Sequence, residues 1–143
     1  MREADIRLIT SDGGEAETIA VRGVCRIVGG IKQFSFRQGE AEFVLLFGTR
    51  VRIERKGDIA YTLILAPDGC SSAEIATPCG TLRLEVRTVA QALEECGGRL
   101  DFRAEYELFA GAGEPLRREI IFTASCPLPM CWASLTSGPN SLN

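Results

Sequence analysis

Thr77-Pro78-Cys79-Gly80-Thr81-Leu82-Arg83-Leu84-Glu85-Val86-Arg87-Thr88 sets a turn signal directly before an alternating run. Leu82, Leu84 and Val86 fall on one face, and Thr81, Arg83, Glu85 and Arg87 on the other. Alternation with period two marks a half-buried strand. The same pattern recurs on both sides of this stretch.

Towards the C-terminus, Arg99 to Phe109 alternates most cleanly. Leu100, Phe102, Ala104, Tyr106 and Leu108 face in, and Arg99, Asp101, Arg103, Glu105 and Glu107 face out. Leu116 to Ser125 follows after the turn at Gly111 to Pro115, with Ile120, Phe122 and Ala124 inward. Between Thr88 and Gly97-Gly98, the run Val89 to Cys96 has helix-forming composition. It is compatible with one or two helical turns or with a strand and a loop. From Cys126 to Asn143 the alternation stops, and prolines and Ser/Thr/Asn dominate.

Towards the N-terminus the strands are 5–10, 17–28, 31–37, 42–48, 50–56 and 59–66, with a short extended segment at 72–76. Gly13-Gly14, Gly29-Gly30, Gly39, Gly57 and Pro67-Asp68-Gly69 supply the turns between them. Gly23 lies mid-strand, a position that suggests a bulge or a sharp bend. In 50–56, Val51 and Ile53 point inward while Arg50, Arg52, Glu54 and Lys56 point out. The run Phe43 to Phe47 is apolar throughout, as expected of a strand covered on both faces.

Successive short strands with tight turns indicate an antiparallel meander. No helix long enough to cover an open apolar face is present, so the sheet must close or fold over. The expected fold is therefore all-β: an antiparallel up-and-down β-barrel of about eight to ten strands with at most one short helical turn. Residues 1–125 are expected to form the barrel domain and 126–143 an irregular C-terminal extension, either mobile or tied down through Trp132.

Composition narrows the chemistry. The chain carries no histidine, which removes the commonest general base and metal ligand. A net charge of -3 argues against a general nucleic-acid binder. No apolar run reaches the ~18 residues of a membrane helix, and the charged N-terminus resembles no signal peptide. These features lead to the expectation of a cytoplasmic protein without membrane or nucleic-acid partners, without a cofactor and without a metal. The 6 cysteines lack a CxxC pair, so reduced thiols are expected rather than a disulfide framework. Cys126 and Cys131 lie close together with Pro127 and Pro129 between them, a weak case for a disulfide or soft-metal site.

From Glu54 to Leu108 the chain resembles the bacterial DUF1934 family of YwiB-like proteins. The likeness is carried by Arg55-Lys56-Gly57, by Thr77-Pro78 with Gly80, by Leu82-Arg83-Leu84 leading to Thr88, and by Gly97-Gly98 with the strand through Tyr106. Members tend to carry aromatics beside the Thr-Pro pair, where this chain has Ile75 and Cys79. The resemblance implies a small cytosolic barrel of the calycin, or lipocalin-like, class. It implies no catalytic residues.

Two functions fit this sequence better than an enzyme. One is a binding module holding a small, largely apolar ligand inside the barrel, contacted by Phe34, Phe36, Tyr61, Phe102, Tyr106 and Phe122. The tyrosines are notable because a buried phenol needs a hydrogen-bonding partner. The other is a structural or protein-interaction module with a filled barrel, acting through an outer face or the tail. A homo-oligomer is compatible with either, with an exposed edge or Phe43 to Phe47 as the seam.

Overall fold

The computed structural model describes residues 1–67, 69–111 and 113–126. Its described residues form ten strands in a closed barrel: β1 (Arg2–Ser11), β2 (Ala16–Val28), β3 (Ile31–Gln38), β4 (Ala41–Phe47), β5 (Val51–Lys56), β6 (Ala60–Leu65), β7 (Cys70–Thr77), β8 (Gly80–Cys96), β9 (Arg99–Phe109) and β10 (Leu116–Ser125). Each strand pairs antiparallel with the next, and β10 returns to β1 with Leu8 opposite Phe122. Closure removes the edges that an open sheet would expose. The barrel ends at Ser125, and Cys126 ties its backbone N–H to Gly98 O at 3.0 Å. The extension beyond it, including Cys131 and Trp132, lies outside the described residues.

Turn chemistry sets the register. Gly29-Gly30 and Gly97-Gly98 have φ near 59° and 83°, and 58° and 83°. Positive φ at both positions defines a type I′ hairpin, whose twist matches that of the strands. At Thr77-Pro78-Cys79-Gly80 the threonine hydroxyl locks the turn. It donates to Gly80 O at 3.0 Å and accepts from Cys79 N–H at 3.2 Å. The Thr-Pro-x-Gly signal thus has a mechanical basis.

Val89 to Cys96 extends β8 rather than forming a helix. Ala90 to Cys96 pairs in step with Glu105 to Arg99, after a register shift between Thr88 and Ala90. A full ladder to β9 outweighs the modest helix propensity of Ala, Gln and Glu. β7 ends its pairing at Cys70 opposite Arg87, so the distal half of β8 runs on beyond it. There a Lys32–Glu95 ion pair ties β8 to β3. The irregularity leaves Thr88 Oγ1 and Gln91 Oε1 buried without a hydrogen-bond partner, an uncommon and costly state.

Gly23 is not a bulge. The β1–β2 register runs unbroken from Arg2–Cys25 to Ser11–Ala16. Glycine is required because a Cβ there would lie 2.5 Å from both Ile6 Cδ1 and Ser35 O. Likewise the apolar run in β4 alternates after all: Phe43, Leu45 and Phe47 are buried, whereas Val44 and Leu46 are half-buried on the outer wall.

Outside the barrel, cross-strand ion pairs such as Arg103–Glu119 (2.5 Å), Arg83–Glu74 (2.7 Å) and Arg87–Glu107 (2.5 Å) line the polar face. They fix strand pairing more than they add stability, because exposed pairs contribute little each.

Candidate functional site

The two ends of the barrel differ. At the end carrying the β2–β3, β4–β5, β6–β7 and β8–β9 turns, inward side chains fill the interior. Phe34, Phe47, Phe102 and Phe122 meet there, with ring centroids 5.2 Å apart for Phe34–Phe122 and 5.3 Å for Phe47–Phe102. Their tilted and edge-to-face arrangement is the favoured one for aromatic pairs. Leu65, Ile53 and Leu100, all fully buried, complete the plug.

At the opposite end the interior opens into a cup of about 490 Å³. Its apolar wall includes Leu8, Ile19, Leu63, Ala73, Leu84 and Ile120. Tyr61 and Tyr106 reach it from β6 and β9, and Phe43 stands on its wall, stacked on Phe36 at 5.0 Å. Of the six residues expected to contact a ligand, Tyr61 and Tyr106 line the cup. Phe36 backs Phe43, and Phe34, Phe102 and Phe122 belong to the plug.

Four polar residues also enter the cup: Arg55, from the basic run Arg50 to Lys56, and Thr10, Glu17 and Arg118, which the sequence alone does not mark. Their shared feature is position. Every one continues an inward row by one further step of two: Leu8 to Thr10, Ile19 to Glu17, Ile53 to Arg55, and Ile120 to Arg118. All four lie on strand ends at the open mouth. Arg118 is directly opposite Tyr106, Arg55 opposite Tyr61, and Thr10 opposite Glu17.

The electrostatics follow from that placement. Burial holds Tyr106 protonated up to about 12, partly offset by the Arg118 charge. Burial likewise raises Tyr61, with Arg55 and Arg118 pulling the other way. Neither phenol has a hydrogen bond among the described residues. Arg55 is held at the rim by Ile59 O and by Asp58 at 3.6 Å, with its guanidinium 5.8 Å from the Phe43 ring centroid. Arg118 has neither hydrogen bond nor ion pair among the described residues.

Outer hollows of about 550 Å³ and 680 Å³ also exist. They are shallow, and on their walls Arg103, Arg117 and Arg22 pair with Glu119, Glu105 and Asp5, whereas Arg118 and Arg7 have no ion pair among the described residues. The cup differs in having an apolar floor.

None of the described cysteines lines the cup. Cys25 is buried at the plugged end, where burial and the nearby Cys126 raise its thiol to about 11, which makes it a poor nucleophile. Cys70, Cys79 and Cys96 are exposed free thiols. Among the described residues no group of three or more His, Cys, Asp or Glu side chains could hold a metal, and no helix is long and apolar enough to cross a membrane.

No family model matches the chain, and no curated protein matches it either. The crystal structure of the YwiB protein from Bacillus subtilis is similar in fold, with a TM-score of 0.65 over 88% of this chain and 91% of that one, at 14% sequence identity. At that identity the likeness establishes the barrel architecture.

Proposed function

We propose that this barrel is a binding module that holds a small, largely apolar molecule in its open end. A single observation carries the reading: one half of the interior is packed solid, while the other is a cup of about 490 Å³ with an apolar floor. That volume falls within the range of roughly 300–1,000 Å³ typical of small-molecule sites, and a few polar groups on an apolar wall is their usual composition. The rim carries exposed apolar side chains, Leu82 at 53% and Leu116 at 59%, which a bound molecule would shield. We assign the chain to the YwiB-like, calycin-type barrels on the sequence motifs named above together with the shared fold.

The alternative, a filled barrel acting as an interaction module, fits the plugged end but not the cup. The test is native mass spectrometry of the protein purified from its own host, followed by ligand titration of an Ala73→Trp variant. Ala73 is small and lies on the cup wall, so an indole there occupies the space. A co-purifying mass, lost in the variant, supports the reading. Ligand-free protein with no affinity for any apolar probe counts against it.

A further inference from the structure

Closure does not extend along all of β8. β7 stops pairing at Cys70 opposite Arg87, and the last backbone bond on that side of β8 runs from Thr88 N–H to Gly69 O at 2.8 Å. From Ala90 to Cys96, β8 pairs only with β9 among the described residues. We propose that this free edge joins two copies of the chain, β8 pairing antiparallel with β8 of the partner subunit about a two-fold axis at Leu93.

The edge is built to accept a strand. Exposed edges are usually blocked by lysine, proline or other charge, which stop a further strand from adding. Val89 to Leu93 carries none of these. Its two large apolar side chains, Val89 and Leu93, are each 43% exposed. β2 also outruns a neighbour, since β3 pairs with it only from Val24 onward. There, however, Ile19 is buried, Val21 is half-buried, and Glu17 and Arg22 supply charge. β4, the other apolar run, is paired on both sides. Ile27, Val28 and Ile31, at the tip of the β2–β3 hairpin, are exposed as well. The Lys32–Glu95 ion pair ties that hairpin to β8, so the edge borders an apolar surface.

The residues of the edge choose a second copy as its occupant. A two-fold axis normal to the sheet keeps inward side chains on one face and makes every contact twice. Centred on Leu93, the pairing uses the whole regular run from Ala90 to Cys96. Leu93 then meets Leu93 of the partner subunit, Ala92 meets Glu94 of the partner subunit, and Gln91 meets Glu95 of the partner subunit. No like charges are directly opposed, and Glu95 already has its cation in Lys32. Centring on Glu94 would set two carboxylates face to face, which is unfavourable. Centring on Ala92 would push the ladder onto the irregularity between Thr88 and Ala90. The contact lies at the plugged end, so it leaves the cup open.

The experiment is sedimentation velocity of the full chain over a wide concentration series in reducing buffer. A monomer–dimer equilibrium is expected. Leu93→Lys sets two cations face to face at the axis and should weaken the dimer at least about tenfold. Leu93 is exposed in the single chain, so the melting temperature of this variant in dilute solution should match the parent. Leu93→Cys tests the register. Mild oxidation should link two chains through the substituted positions, identified by peptide mass. Should Leu93→Lys fail to fold, that cross-link decides. Monomer at every concentration overturns the self-pairing and leaves the edge to a strand from another protein. A dimer that survives Leu93→Lys, or that links only through Cys70, Cys79 or Cys96, places the contact elsewhere and also overturns it.

Discussion

The two ends of one barrel obey the same alternation and reach opposite results. At the plugged end the inward positions of β3, β4, β9 and β10 hold Phe34, Phe47, Phe102 and Phe122, and four rings close the interior. At the open end, inward positions of β1, β2, β5 and β10 hold Thr10, Glu17, Arg55 and Arg118, and the interior opens into the cup lined by Tyr61 and Tyr106. Inward does not therefore mean apolar. It means facing the barrel axis, and the height along that axis decides whether the side chain meets protein or open space.

That contrast is open to direct attack. The largest effect is expected at the plug. Phe122→Ala should cost about 3–5 kcal/mol in chemical denaturation, because a fully buried ring leaves a cavity among its neighbours. Leucines on a single strand sharpen the point. Leu65 lies in the plugged half and Leu63 borders the cup. Replacement by alanine should cost near the upper end of about 2–5 kcal/mol for Leu65 and near the lower end for Leu63. Equal losses would remove the distinction between the halves.

Alkaline pH probes the other end. Tyr106 titrates at about 12 in the folded chain, against about 10 when unfolded. The folded state thus holds its proton more tightly. The associated stability is complete below pH 10 and is lost as pH rises towards 12, amounting to about 2–3 kcal/mol. Urea midpoints measured across this interval should decline, and Tyr106→Phe should flatten the decline. Absorbance of the phenolate reports the same event, since the chain has only 2 tyrosines.

Gly23→Ala is expected to cost about 1–3 kcal/mol, because the added methyl group meets Ile6 and a backbone carbonyl at once. Thermal melting of this variant against Gly14→Ala, where nothing lies within 4 Å, isolates the steric cost. Smallest of all, Arg103→Ala should change the denaturation midpoint by less than about 1 kcal/mol, as its side chain is 62% exposed and its pair with Glu119 is solvated.

Much of this architecture was legible in the residues. Glycine turns and alternation place the strands, and the absence of any covering helix leaves the sheet to close or fold over. Tyr61 and Tyr106 could be singled out because a phenol in an apolar row demands a partner. Phe34, Phe102 and Phe122 could not be assigned to plug or cup, since alternation carries no information about height along the axis. Arg118 could not be picked out, and Arg55 stood only as one member of the basic run Arg50 to Lys56, for a related reason. A charged residue at a strand end is usually solvated, and only the register across strands brings both to one mouth. Val89 to Cys96 was ambiguous because its helix-forming composition competes with a ladder that local sequence does not reveal.

The sequence by itself determined an all-β chain whose sheet must close or fold over, with hairpin turns favouring a barrel, and a composition without histidine. Both conclusions rest on local properties: side-chain period, turn residues and composition. Only the tertiary structure decided which inward residues fill the barrel and which frame an opening. That division depends on strand stagger and closure, which bring residues as distant as Arg55 and Arg118 into the lining of one cup.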